Sequence, residues 1–270
     1  MAELAELAGI YRRLVGARIR SQLQYRLSFA LNLLGAALIS FLDFAAILVL
    51  FEQVDALGGW TVAEVAVLYG ISSLSFALVD LTIGHLDLLP QMIRQGDFDL
   101  VLVRPLGSLF QVVASDFALR RLGKFAQGLA VLAVAIAQLD LDWTVARVGM
   151  LLLGVVAGAA IFAGVWVGLA TVAFWLVDSI EVANAFTYGG NFVAQYPVNI
   201  LGPWLRRLVL FVVPVAFVSY FPALYVLGKE DPLGLPEAFQ FASPLVAVVT
   251  CVAGALLWRT AVRRYRSVGA

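Results

Sequence analysis

From Val148 to Val177 the chain runs for 30 residues without a charged side chain. In a hydrocarbon layer no water satisfies backbone N–H and C=O groups, so a stretch of this kind must be helical there. About 20 helical residues cross a core of roughly 30 Å. At ~1.5 Å per residue this run is about 45 Å long, so its helix tilts or protrudes. Further apolar runs fall at 27–51, 65–86, 125–139, 204–228 and 241–258. All but 125–139 are long enough alone, and that one lengthens if the charged turn from Asp116 to Lys124 sits among headgroups. With 62% hydrophobic and 13% charged residues over 270, the chain lies outside the balance of soluble domains. The expected fold is an all-α integral membrane protein: one domain, residues 1–270, with six transmembrane helices.

The charges orient it. With a cytoplasmic N-terminus and six crossings, sixteen of the eighteen Lys and Arg fall inside and only Arg147 and Lys229 outside, an asymmetry hidden by the net charge of zero. The segment 1–24 begins with acidic residues and lacks the apolar core of a secretory signal. Leu4, Leu7, Ala8, Tyr11, Leu14 and Val15 recur at helical spacing, with Arg12, Arg13 and Arg20 elsewhere on the wheel. That pattern describes an N-terminal amphipathic helix in the membrane interface. Gly154/Gly158 and Gly164/Gly168 have the four-residue spacing that lets helices approach closely. The segment 178–203 is too polar to span on this reading. It is expected to lie at the cytoplasmic surface as an interfacial helix, interrupted at Gly189-Gly190 and ended by Pro197.

Much chemistry is excluded. Gly123-Lys124 is followed by Phe125 and lacks the upstream glycine of a phosphate-binding loop, so the chain does not hydrolyse ATP by that route. His85 is the single histidine and Cys251 the single cysteine, which rules out two-histidine metal sites and intrachain disulfides. His85 and Asp87 read as an interfacial polar pair rather than an acid and base. Asp43 and Asp80 are the carboxylates deepest in apolar runs. Each either lines a pathway or is satisfied within the bundle.

Between the second and third runs lies RQGDFDLVLVRPL. Gly96 can break the preceding helix, Asp97 can cap a short helix through Val103, and Pro105 stops it. Phe98, Leu100, Leu102 and Val103 give that helix more apolar surface than a solvated turn needs. Either the protein's own end or a cytoplasmic partner covers it.

This stretch, with Tyr196-Pro197 and the pattern PVAFVSYFP at 214–222, resembles a bacterial family of ABC transporter permeases of the six-helix exporter class, the ABC-2 family. The resemblance runs over nearly the whole chain. It implies a type-2 ABC exporter membrane domain of the cytoplasmic membrane with both termini inside. Residues 90–107 would hold a coupling helix docked on a separate ATPase subunit, with Arg94, Gly96, Asp97, Phe98, Asp99, Arg104 and Pro105 as the ATPase-coupling residues. ATP and Mg would be bound by that subunit, with no cofactor or metal in this chain. The other partners implied are a second permease chain, identical or related, and lipid, but no nucleic acid. Residues 229–241 would be extracellular and re-enter the outer leaflet. The family does not give the cargo. A pathway without buried Lys or Arg suits a hydrophobic, amphipathic or cationic molecule. Asp43, Asp80, Phe41 and Phe44 are the pathway candidates, and Phe162, Trp166, Phe174 and Phe217 supply further aromatic surface. The competing reading is an ion-coupled transporter or channel using Asp43 and Asp80.

Overall fold

The computed structural model of the chain describes residues 2–115, 117, 119–176 and 180–267, and these are almost wholly helical. The helices are α1 (Ala2–Gln24), α2 (Arg26–Phe51), α3 (Val62–Ile83), α4 (Leu89–Arg94), α5 (Asp97–Leu102) and α6 (Ser108–Ala114). They continue with α7 (Leu122–Gln138), α8 (Val145–Ala170), α9 (Ile180–Ala194), α10 (Pro203–Arg207), α11 (Tyr220–Leu227) and α12 (Ser243–Arg264). α3 starts where Thr61 and Glu64 form a reciprocal capping box. It runs through a 3₁₀ turn, Gly84–Leu88, into α4. Four helical stretches are long and apolar enough to cross a membrane: Arg26–Phe51, Val62–Arg94, Val145–Phe174 and Ser243–Arg264. The second is the axis of the bundle, with 78% of its apolar window buried, whereas α2 lies on the flank with 11%.

Two ends can be told apart. At one, Phe98, Phe174, Trp258 and Tyr265 cluster. At the other, Lys229 Nζ donates to Gly59 O at 2.9 Å and pairs with Glu64 at 2.7 Å. We refer to them as the Phe98 end and the Lys229 end.

The expectation for 178–203 fails over its described residues, 180–203. α9 does not lie across one end but runs antiparallel to α3 along the bundle. Near its start, Ala183 adjoins Asp87 and Pro90. Farther on, Ser72 Oγ donates to Asn191 Oδ1 at 3.0 Å, and beyond the helix Asn199 Nδ2 donates to Gly58 O at 2.7 Å at the Lys229 end. Its polar side chains Thr187 and Asn191, with Gln195 just after, are buried inside the protein rather than wetted by headgroups. Gly189 and Gly190 lie within a continuous helix.

The run 204–228 is corrected with it. Pro203–Val212, which ends in a π turn, and Val215–Leu227 form a pair bent by 72°. Both outer flanks lie at the Lys229 end: Arg206 Nη2 donates to Asn199 O and Leu201 O, each at 3.0 Å, and Gly228 adjoins Arg147. Between them Val215 touches Gly190, partway along α9. The pair therefore enters and leaves at one end. Residues 229–241 alternate between half-buried and exposed, with Leu233, Leu235 and Phe239 packed on the core, and carry a 3₁₀ turn, Glu237–Phe241.

The glycine pattern works as read. Gly154 lies against Pro222, Gly158 against Ser75 and Val218, and Gly164 against the backbone of Thr250 and Cys251 on α12. α1 is held against the Phe98 end, since Gln22 bonds Phe117 O at 2.6 Å and Leu119 N at 3.1 Å, and Tyr11 packs on Phe110. Arg12, Arg13 and Arg20 point outward. The side chains of Leu4, Leu7 and Ala8 lie outside the described residues.

Candidate functional site

At the Phe98 end, α4 stops at Gln95 and the chain turns on Gly96, whose φ of 75° is open to glycine at little cost. α5 follows at once. Its N-cap is Gly96, with Asp97 inside the first turn, so the expected Asp97 cap is not formed; Asp97 and Asp99 instead place negative charge where the helix dipole is positive.

The short helix has two faces. Phe98 is fully buried, its ring 5.1 Å from Phe174, 5.2 Å from Tyr265 and 6.3 Å from Trp258. Val101 is buried on the same side, and its carbonyl accepts from Gln111 Nε2, which also bonds Leu106 O. Asp99 accepts a hydrogen bond of 2.6 Å from Ser267. On the opposite face Leu100 is 59% and Val103 79% exposed, with Asp97, Arg104 and Pro105 exposed around them. The protein's own end thus covers Phe98 and Val101. The remaining apolar side chains face outward on a helix pinned by aromatic contacts to the ends of α8 and α12.

The pathway candidates do not converge. Asp80 is 7% exposed and pairs with Arg121 at 2.9 Å, in space left by Gly84. Lys124 sits 4.4 Å over the ring of Phe76. Asp43 is exposed on α2, within electrostatic reach of Tyr69, Tyr196 and Lys124. Phe41 and Phe44 border an open groove of about 960 Å³ between α2, α3 and α7. Phe162, Trp166 and Phe217 are buried core residues, and Phe174 belongs to the Phe98 cluster. His85 bonds Val112 O, while Asp87 accepts from Trp166 Nε1 and Tyr188 OH, so each of the two has partners of its own. Sequence reasoning missed Arg121 as the partner of Asp80. It also missed the aromatic cage around Phe98, whose members are too far apart in sequence to be linked by spacing.

A family model described as ABC-2 family transporter protein matches residues 37–269, taking in the 94–107 turn and every helix from α3 to α12. The chain belongs to the ABC-2 family. As an ABC-2 permease it is a multi-pass membrane component of a transporter, and it carries no phosphate-binding loop of its own. Searches of curated proteins and of solved structures found no match. What this ABC-2 permease does beyond its class therefore rests on its own geometry.

Proposed function

We propose that this ABC-2 permease is the membrane subunit of an ATP-driven exporter, driven through the outward face of α5 by a separate ATPase subunit at the cytoplasm. The observation that carries this reading is the division of α5. One face is locked to α8 and α12 through Phe98, and the other presents Leu100 and Val103 to solvent beside Asp97 and Arg104. A helix mounted in that way transmits a push rather than absorbing it.

Charge supports the orientation. With α9 as the fifth crossing and 203–227 as a re-entrant pair, six helices cross and both termini are cytoplasmic. Fourteen of the eighteen Lys and Arg then belong to the Phe98 end, with Arg147, Arg206, Arg207 and Lys229 at the other. Two such chains, or this chain and a related permease, would face each other across the pathway. ATP-driven closure of the ATPase pair would tilt α3–α4 and open the cleft alternately.

Leu100→Asp is expected to abolish co-purification of the ATPase subunit while leaving the permease monodisperse in detergent, because the side chain is exposed. Unchanged co-purification with unchanged ATP-driven transport would overturn the reading. Phe98→Asp is the wrong probe: a charge there would be buried among three aromatic rings and would unfold the end itself.

For cargo we propose a hydrophobic or cationic amphipath. The cations within the bundle are engaged, Arg121 with Asp80 and Lys124 over Phe76, while Asp43 lies exposed on α2. Lipophilic cations are expected to stimulate ATP hydrolysis by the reconstituted complex, and Asp43→Asn to weaken that response roughly tenfold, the scale of one charge-assisted contact. Stimulation by anionic glycans alone would contradict the assignment. The ion-coupled alternative loses support at Asp80, whose charge Arg121 balances.

A further inference from the structure

The long central helix is not straight-running α-helix. Ten residues before Arg94 it changes to a 3₁₀ turn, Gly84–Leu88, and mid-helix 3₁₀ turns commonly mark hinges. On that turn stands Asp87. Its two carboxylate oxygens are held by two different helices: Oδ1 accepts from Trp166 Nε1 of α8 at 2.9 Å, and Oδ2 from Tyr188 OH of α9 at 3.0 Å. The donors also touch each other, 5.5 Å between ring centroids, and both pack on Phe76 at 5.3 Å. A small void bounded by Leu86, Asp87, Pro90, Trp166 and Ala183 lies beside the carboxylate.

A half-buried carboxylate packed against two aromatic side chains is costly unless its oxygens are hydrogen-bonded, and here both are. Packing alone would be served by an apolar side chain. What the carboxylate adds is a joint that reaches two helices at once and can give up one donor while retaining the other.

Building on the exporter reading above, we infer that Asp87 is a positioning residue of the transport cycle. Through Tyr188 it passes a displacement of the 94–105 turn to α9, while Trp166 steadies the carboxylate from α8. α9 is the helix able to use it, since Val182, Ala185, Tyr188 and Phe192 form an exposed stripe along its length. On the neighbouring α2, Asp43 lies within electrostatic reach of Tyr196, just beyond α9. Asp87 itself touches no cargo. Its role is to make α9 follow α4 rather than stay with α8.

The test uses the permease reconstituted with its ATPase subunit, in a Cys251→Ser background. Nitroxides on cysteines at Leu102, which lies about 200° around α5 from the docking residue Leu100, and at Val252 report α5 against α12, and those at Phe192 and Val252 report α9 against α12. Distances are measured without nucleotide and with Mg-ATP plus vanadate. In the parent both pairs should shift. In Tyr188→Phe, which keeps the ring and loses only the hydroxyl, and in Asp87→Asn, the α5 pair should still shift while the α9 pair does not. Transport per ATP should fall roughly tenfold in each, and the double variant should be no worse than either single one, as expected of a shared joint. An α9 shift that persists in both variants with parental transport per ATP overturns this inference and leaves the exporter reading standing. A parent in which nucleotide moves neither pair overturns both.

Discussion

Gly164→Leu should leave almost no folded protein. A Cβ at this position would lie 2.6 Å from the backbone nitrogen of Cys251, and 2.6 Å from Thr250 O, on α12. The neighbour is backbone, so no side chain can swing aside. On the facing helix, a Cβ at Gly254 would lie 2.5 Å from Gly164 O, so the two glycines form one contact. Forcing these helices apart is overpacking of the kind that costs about 3 kcal/mol or more, a large share of a typical protein's stability. Gly168→Ala is the internal comparison. One turn along, a Cβ would meet only Leu257 Cδ1 at 3.4 Å and Gly254 Cα at 3.8 Å, and Gly149 has nothing within 4 Å. Both alanine variants should elute from size exclusion as the parent does and unfold within a few degrees of it. Gly164→Leu should aggregate or fail to accumulate. A monodisperse Gly164→Leu peak with parental thermal stability would show that α8 and α12 do not pack as described.

The second large effect concerns Asp80 and Arg121. Their side chains are 9% and 18% exposed and 2.9 Å apart, and Arg121 also donates to the backbone carbonyl of Asp80. Removing one partner strands the other charge in a poor solvent, which costs on the order of 3–5 kcal/mol in buried pairs. Asp80→Ala and Arg121→Ala should therefore each lower the unfolding temperature in detergent strongly. The double variant Asp80→Asn/Arg121→Gln, which removes both charges of the pair, should recover much of the loss. Gly84→Ala should resemble the single variants, because its Cβ would collide with both members of the pair. Single variants as stable as the parent would mean that these groups reach water.

Much of this molecule was legible in its residues. The long uncharged runs could only be membrane helices, and Gly96 and Pro105 bracketed α5 closely enough to find it. The helix at Ile180–Ala194 was misread, for an identifiable reason. Hydropathy treats a polar side chain as wet wherever it stands. Thr187, Asn191 and Gln195 are instead folded inward, Asn191 bonded to Ser72, so a helix that looks surface-bound packs alongside α3. The segment after it erred the other way. Its apolar surface suggested a span, but Pro203, Pro214 and Pro222 sit at the start of α10, at the bend and in the first turn of α11, and mark backbone that cannot continue as one helix. The 72° bend between the two halves was not expected there. The burial of Phe98 was not legible for another reason. Period and capping identify a short amphipathic helix, but nothing local tells which of its apolar residues the distant Phe174, Trp258 and Tyr265 will cover.

The claim that α5 is where an ATPase subunit grips this ABC-2 permease is tested most directly by site-specific cross-linking. In a Cys251→Ser background, single cysteines at Leu100, at Val103 and, as the comparison at the Lys229 end, at the 92% exposed Val145 would be co-expressed with an ABC ATPase subunit that supports ATP-driven transport by the permease. The complexes would then be treated with a short bifunctional maleimide. The account predicts a permease–ATPase adduct from Leu100→Cys and Val103→Cys, diminished by prior Leu100→Asp in the Val103→Cys chain, and none from Val145→Cys. An adduct from Val145→Cys, or none from either position on α5 in a complex that still hydrolyses ATP, would contradict it.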